Sequence, residues 1–304
     1  TSEGIDVGPG RDNASGARIV GVPVGSAEYI KEFVGDTVNK HRARLNHIVQ
    51  FGNAGHTQEA LMLLWQCARP RIVFLLQCIP YHIAPEAFDV SHRDLIDAFA
   101  RIVGASADLD EADEVTLGRI ALPFRHGGQG LTNPSHVADQ ALVANWAACA
   151  PFLAKTAPAL RRIVDEDPGP RRSTRDTASA YRRDRALGGP CHGFARPAWD
   201  TVRGLGAEEK EALPCDFAES TSQDFPVKGL QRTLSHLEHG RRYRQLYQAA
   251  SPEVSAAMHS LSSPHAMIWH RVCPFEPRLQ IASHLVKMRI RQELDLRMPC
   301  LTDA

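Results

Sequence analysis

"HTQEALMLLWQCARPRIVFLLQCIP", residues 56–80, is the stretch on which the fold turns. Residues 56–68 are apolar nearly all round a helical wheel, and a helix of that kind has to be buried. Pro70 is expected to separate it from RIVFLLQCI, 71–79, a second apolar segment that Pro80 stops. No run in the chain approaches 18 consecutive apolar residues, so no segment is expected to cross a membrane.

Upstream, IVGVPVG at 19–25 is β-prone and ends on a glycine, and Ser26 follows as a helix N-cap with Glu28 in the first turn. Ile30, Phe33, Val34, Val38, Leu45, Ile48 and Val49 then recur at three- and four-residue spacing, which predicts an amphipathic helix to about Gln50. Downstream, Pro85 opens a helix with Phe88, Leu95, Phe99, Ile102 and Val103 on its core face, and Gly104 suits its end. A shorter acidic helix is expected around 108–118. The alanine-rich segment 135–164 carries a further helix, interrupted near Pro151 and Pro158.

Residues 1–18 are rich in Gly, Ser and Asp and read as a disordered lead-in. From 165 to 228 prolines, glycines, arginines and acids alternate without hydrophobic periodicity, which predicts a linker or poorly ordered insertion. Periodicity returns at 229–250 with Leu230, Leu234, Leu237, Tyr243, Leu246 and Tyr247, and again at about 278–297 with Leu279, Ile281, Leu285, Met288 and Leu294. The expected architecture is mainly α: an irregular helical bundle over 19–164, the Arg/Pro/Gly-rich linker, and a smaller helical part over 229–304.

The totals exclude several classes. Basic and acidic residues number 35 each, so no overall field draws the molecule onto nucleic acid, although arginine dominates the cations and favours planar contact to phosphate. Seven cysteines are dispersed with no C-x-x-C pair, which fits a reducing, intracellular setting rather than a disulfide framework. Cys67, Cys78 and Cys149 lie in apolar runs, where cysteine behaves as a small core residue. The chain opens on Thr1 rather than Met, and the expectation is a piece of something longer.

LPFRHGGQGLTNP, 122–134, invites a phosphate-loop reading, but no lysine follows its glycines and their order is not G-x-G-x-x-G. Gly127, Gly128 and Gly130 are therefore expected to make a turn with positive φ angles. His236 and His239 stand three apart on an expected helix face without further ligands, and Cys191-His192 lacks the spacing of a zinc cage, so no metal site is assigned. No G-x-S-x-G elbow is present, and Asp108/Asp110 and Asp165/Asp167 read as helix-end acids rather than a catalytic constellation. No catalytic residue is assigned. An autonomous enzyme would have to use Cys191 or His192.

Basic patches remain. Ten arginines fall between 161 and 203 against six acids, beginning with Arg161 and Arg162. Arg241, Arg242 and Arg244 form a second group with Tyr243 and Tyr247 interleaved and Glu238 as the only acid near them. Arginine interleaved with aromatic rings suits phosphate contact and base stacking. The candidate nucleic-acid-binding residues are Arg161, Arg162, Arg241, Arg242, Arg244 and Tyr243.

VGVPVGSAEYIKEFV (20–34), QEALMLLWQCARPRIVFLLQCIPYHI (58–83), FDVSHRDLIDAFARIVG (88–104) and ALPFRHGGQGL (121–131) run in one order. With HAMIWHRVCPFEPRLQIASHLVKMRIRQELDLRMP (265–299), they resemble the segment downstream of the palm in reverse transcriptases of non-LTR retrotransposons. There a G-x-P-x-G-S introduces a long helix, a leucine-rich helix, R-P and an apolar helix follow, and L-P-x-x-x-G-G-x-G-L precedes an alanine-rich helix. Gln129 stands where leucine is common, at a turn position expected to be exposed. The family's Tyr-x-Asp-Asp turn is not found, and the chain has no Asp-Asp pair.

The resemblance implies a thumb- and connection-like region without the catalytic core. The chain would then be a fragment or degenerate copy of an RNA-directed DNA polymerase, itself without cofactor although its parent needs Mg. Its partners would be RNA or an RNA–DNA hybrid and the rest of the parent polyprotein, in nucleus or cytoplasm. The alternative is a non-catalytic helical interaction or scaffold protein with no nucleic-acid role.

Overall fold

The computed structural model describes residues 16–142, 144–145, 230–263, 266 and 280–296. The linker over 165–228, most of the lead-in, Arg161, Arg162, Cys191 and His192 lie outside them. The described chain is mostly helical, with one two-stranded sheet.

That sheet is a hairpin of β1 (Gly16–Ile19) and β2 (Val22–Gly25), with Ile19 paired to Val22 across a two-residue turn. The turn residues Val20 and Gly21 both have positive φ, 49° and 86°, the mirror-image turn that matches the twist of paired strands. The first strand thus begins three residues before the β-prone run read from sequence, inside the expected lead-in.

Ser26 caps α1 (Ala27–Asn53), its hydroxyl accepting from the Tyr29 N–H at 3.3 Å. Ile30, Val34, Val38, His41, Leu45 and Val49 form one buried stripe along its length. The stripe lies mainly on α4 (Pro85–Val103), whose C-terminus Gly104 closes in the left-handed conformation at φ 70°.

Residues 57–78 differ from expectation. Pro70 does not separate two segments: α2 (Thr57–Leu63) runs through a π turn at Leu64–Ala68 directly into α3 (Arg69–Cys78). In the wider turn the Arg69 N–H reaches back five residues to the Leu64 carbonyl, and Pro70, which has no N–H to give, follows at the second position of α3. The π turn also rotates the apolar face. Leu61, Leu64 and Trp65 enter one core with Leu95, Phe99 and Ile102, whereas Ile72, Leu75 and Leu76 enter a second with Val34, Val38 and Phe88. The segment is not buried all round, since Leu63, Gln66 and Cys67 face outward and Cys78 is half-buried.

The acidic helix expected over 108–118 is two short ones, α5 (Ser106–Asp110) and α6 (Glu114–Ala121). The Asp113 carboxylate accepts from the Thr116 N–H at 2.8 Å and starts α6 afresh. After the glycine stretch Asn133 starts α7, described over 134–142 and at 144–145, whose Val137, Ala138 and Ala141 complete the second core.

The C-terminal helices are α8 (Leu230–Ala249), α9 (Pro252–Leu261, capped by Ser251) and α10 (Ser283–Glu293). Val286, Ile290 and Leu294 of α10 and its end are buried in the first core beside Leu61, Phe99 and Ile102. The last helix is therefore part of the bundle built by α1, α2 and α4. Among the described residues no helix is long and apolar enough to cross a membrane.

Candidate nucleic-acid interface

The glycine stretch positions the site. A short 3-10 turn, Phe124–His126, leads into Gly127 and then Gly130, with φ 71° and 70°, whereas Gly128, expected to share it, has no positive φ. The N–H groups of Gly127, Gly128 and Gly130 donate to the carbonyls of Phe124, Pro123 and Leu122 at 3.0, 3.3 and 2.7 Å. Those three donors are turned inward, so they cradle no phosphate. The segment is a turn that presses against α9, where a Cβ on Gly127 would come within 2.7 Å of the Leu261 Cβ.

Gln129 is not exposed. It is fully buried, and its amide donates to Glu293 Oε2 at 3.2 Å. Glu293, also buried, accepts from Arg289 Nε at 3.0 Å, and its backbone carbonyl takes the buried Arg119 guanidinium. Arg69 donates to the Gly130 carbonyl at 2.8 Å. Close by in the fold, Arg291 bonds the Gly104 carbonyl at 2.6 Å and Asp108 at 2.5 Å. The glycine turn is thus one half of a polar joint that receives the end of α10.

On the other side of the turn α8 brings a second set of residues. Arg125 donates from Nε to His126 Nε2 at 3.1 Å, and its terminal nitrogen approaches His239 Nδ1 at 3.4 Å. The His126 ring stacks on Tyr243, centroids 5.2 Å apart, and Tyr243 lies 5.9 Å from Tyr247. His236 and Arg232 stand exposed on the same helix, close enough to Arg125 for their charges to act on one another.

Burial, reinforced by Arg125 and His236, pushes His126 down to about 4. Burial with Arg125, His126, Arg69 and His236 pushes His239 down to about 3. His236 is lowered as well, by burial and by Arg125 and Arg232. At neutral pH all three imidazoles are uncharged.

Of the residues singled out from sequence, Tyr243 joins this cluster, and its hydroxyl lies 3.5 Å from the Ser262 hydroxyl. Arg241 and Arg242 both grip the buried Glu238 carboxylate, at 3.0 and 2.9 Å, so the pair presents about one net charge rather than two. Arg244 is exposed on the same helix. Arg125 and His126 were legible only as neighbours of the glycines; nothing in the sequence ties them to a helix a hundred residues away. Among the described residues no group of three or more His, Cys, Asp or Glu is arranged to hold a metal. A small cavity between α3, α4 and α7, lined by Arg69, Leu76, His92 and Val137, is too small for an organic substrate.

The chain matches no protein-family model, no curated protein and no solved structure.

Proposed function

We propose that this chain is a segment of a non-LTR retrotransposon reverse transcriptase, from the part C-terminal to the palm, that contacts RNA or an RNA–DNA hybrid without catalysing nucleotide transfer. The order of motifs from 20 to 131 supports the family. The observation that carries the contact is the stacked His126–Tyr243 pair with Tyr247 beside it, flanked by Arg125 and Arg232. Flat rings accept a base face at about 1–3 kcal/mol each, and guanidinium groups take the neighbouring phosphates.

Binding of an RNA–DNA hybrid measured across a salt series tests this. Each phosphate contact contributes roughly −0.7 to −0.9 to the slope of log affinity against log salt, so Arg232→Ala should flatten the slope by about one contact. Tyr243→Ala should weaken binding about tenfold or more with the slope unchanged. No measurable affinity at about 50 mM salt removes the proposal.

A scaffold protein without nucleic-acid role is the competing reading. It is favoured by the neutralisation of Arg241 and Arg242 on Glu238. It requires a hybrid affinity that is nil or indifferent to both substitutions.

A further inference from the structure

Arg125 is held in an unusual way. A half-buried guanidinium normally faces a carboxylate, because an uncompensated charge away from water costs several kcal/mol. Here its partners are two imidazoles, His126 and His239, and among the described residues no carboxylate is paired with it. Among the described residues the neighbouring charged side chains are Arg232 and His236 on α8 and Arg69 on α3, all on the positive side, with the Tyr243 phenol stacked on His126. Glu238, the acid of this stretch of α8, is occupied by Arg241 and Arg242.

The hydrogen-bond roles follow from Arg125 being a donor only. His126 Nε2 and His239 Nδ1 accept, which places the His239 proton on Nε2. That Nε2 is buried without a partner. The cluster therefore contains a guanidinium without counter-charge and an imidazole N–H without acceptor. The guanidinium's need is one that an oxyanion meets, and the His239 nitrogen beside it is Nδ1.

We propose that Arg125, His126, His236 and His239, with Arg232 at the rim, form a binding site for a tetrahedral phosphate-type oxyanion whose affinity rises as pH falls. Protonation makes each imidazole a donor on both nitrogens, so it releases Arg125 and adds charge where the anion sits. An anion in turn favours the protonated rings, so binding takes up protons and tightens on acidification by at most tenfold per pH unit for each proton. The source of the oxyanion is either a free ion or a backbone phosphate. In the second case the site rests on the nucleic-acid contact proposed above and names the residues that hold its phosphate.

Sulfate is the probe of choice, because it keeps its charge between pH 7.5 and 5.5 whereas free phosphate titrates there. Calorimetric titration of the full chain with sulfate should show about tenfold tighter binding at the lower pH, for an average of about half a proton taken up across the two pH units. Arg232→Gln and His236→Asn change exposed side chains and leave folding intact; each should weaken sulfate several-fold, and His236→Asn should reduce the pH dependence. Arg125→Gln should abolish binding, with unchanged circular dichroism as its folding control. Sulfate affinity that is independent of pH, or that ignores both exposed substitutions, overturns the site.

An RNA–DNA hybrid in parallel, at matched ionic strength, separates the two sources. Hybrid binding that ignores pH and Arg125→Gln, with sulfate behaving as expected, makes the occupant a free ion and leaves the nucleic-acid reading standing. Sulfate binding that behaves as expected with no hybrid binding supports the site and overturns that reading.

Discussion

At Gly128 there is no room for a methyl group. A Cβ built there would fall on the carbonyl oxygens of Leu122 and Arg119, backbone atoms that cannot swing aside. Gly104 makes a contrast, since its φ of 70° is left-handed but nothing lies within 4 Å of its added Cβ. Alanine at Gly104 should cost only the backbone strain, about 1–2 kcal/mol. Alanine at Gly128 should cost about 3 kcal/mol or more, because the turn itself has to move. Urea unfolding of the two variants decides it, and equal losses would show that the close approach at Gly128 carries no weight. Sequence foretold a turn at this place. It did not foretell which glycine is irreplaceable for space and which for φ, because that depends on what the neighbouring chain puts alongside.

At the scale of elements, the joint between the glycine turn and α10 is made of polar groups. Gln129, Glu293 and Arg119 are all buried, and Gln129 Oε1 and Arg119 Nε have no partner there. Gln129→Leu removes a donor from a buried carboxylate and should destabilise by about 1–3 kcal/mol. Removing the carboxylate as well, in Gln129→Leu with Glu293→Leu, recovers the part of that loss due to the undonated carboxylate, but also takes a counter-charge from Arg289 and the buried Arg119. A double-mutant cycle measured by thermal or urea unfolding gives the coupling; strict additivity would mean the 3.2 Å contact contributes nothing. The residue type at 129 was visible in the sequence, yet its burial was not, because the partner stands 164 positions away. The same limit applies at Pro70. Proline signals a break when only neighbours are considered, and here a single π turn absorbs it.

At the scale of the whole fold, buried histidines among the described residues make stability depend on acid. Burial holds His41, His92, His126 and His136 near 4 and His239 near 3, each well below the usual value of 6.5. Unfolded, these rings take up protons around 6.5; folded, they do so only near 4. The unfolded chain thus binds more protons between those values. Stability is full above about pH 6.5 and falls as pH drops toward 4, by at most about 1.4 kcal/mol per pH unit for each fully buried ring.

His41 gives the cleanest probe, being 2% exposed with neither ring nitrogen partnered. His41→Leu should not lower stability at pH 7.5, and its loss between pH 7.5 and 5.5 should be smaller than that of the parent chain by about 1 kcal/mol. Urea midpoints at the two pH values measure both. A parent chain equally stable at pH 7.5 and 5.5 would count against the buried, neutral state of these rings.

Hydrophobic periodicity, caps and glycine signals are local, so the sequence by itself determined the helical class and most elements: α1 from its stripe, α4 from Pro85 to Gly104, the turn at 127–130, and α8 from its leucines, whereas α10 is shorter than the expected 278–297 and buries Val286 and Ile290 while Leu285 is exposed. Tertiary structure decided what lies far apart in the chain and close in space. It put α10 into the core with α2 and α4, closed Gln129 over Glu293, and set Arg125 between two imidazoles on different elements. The reason is physical: a short-range pattern records which face of an element avoids water, whereas the chemistry of a buried or crowded group depends on its partner, and the partner is chosen by packing.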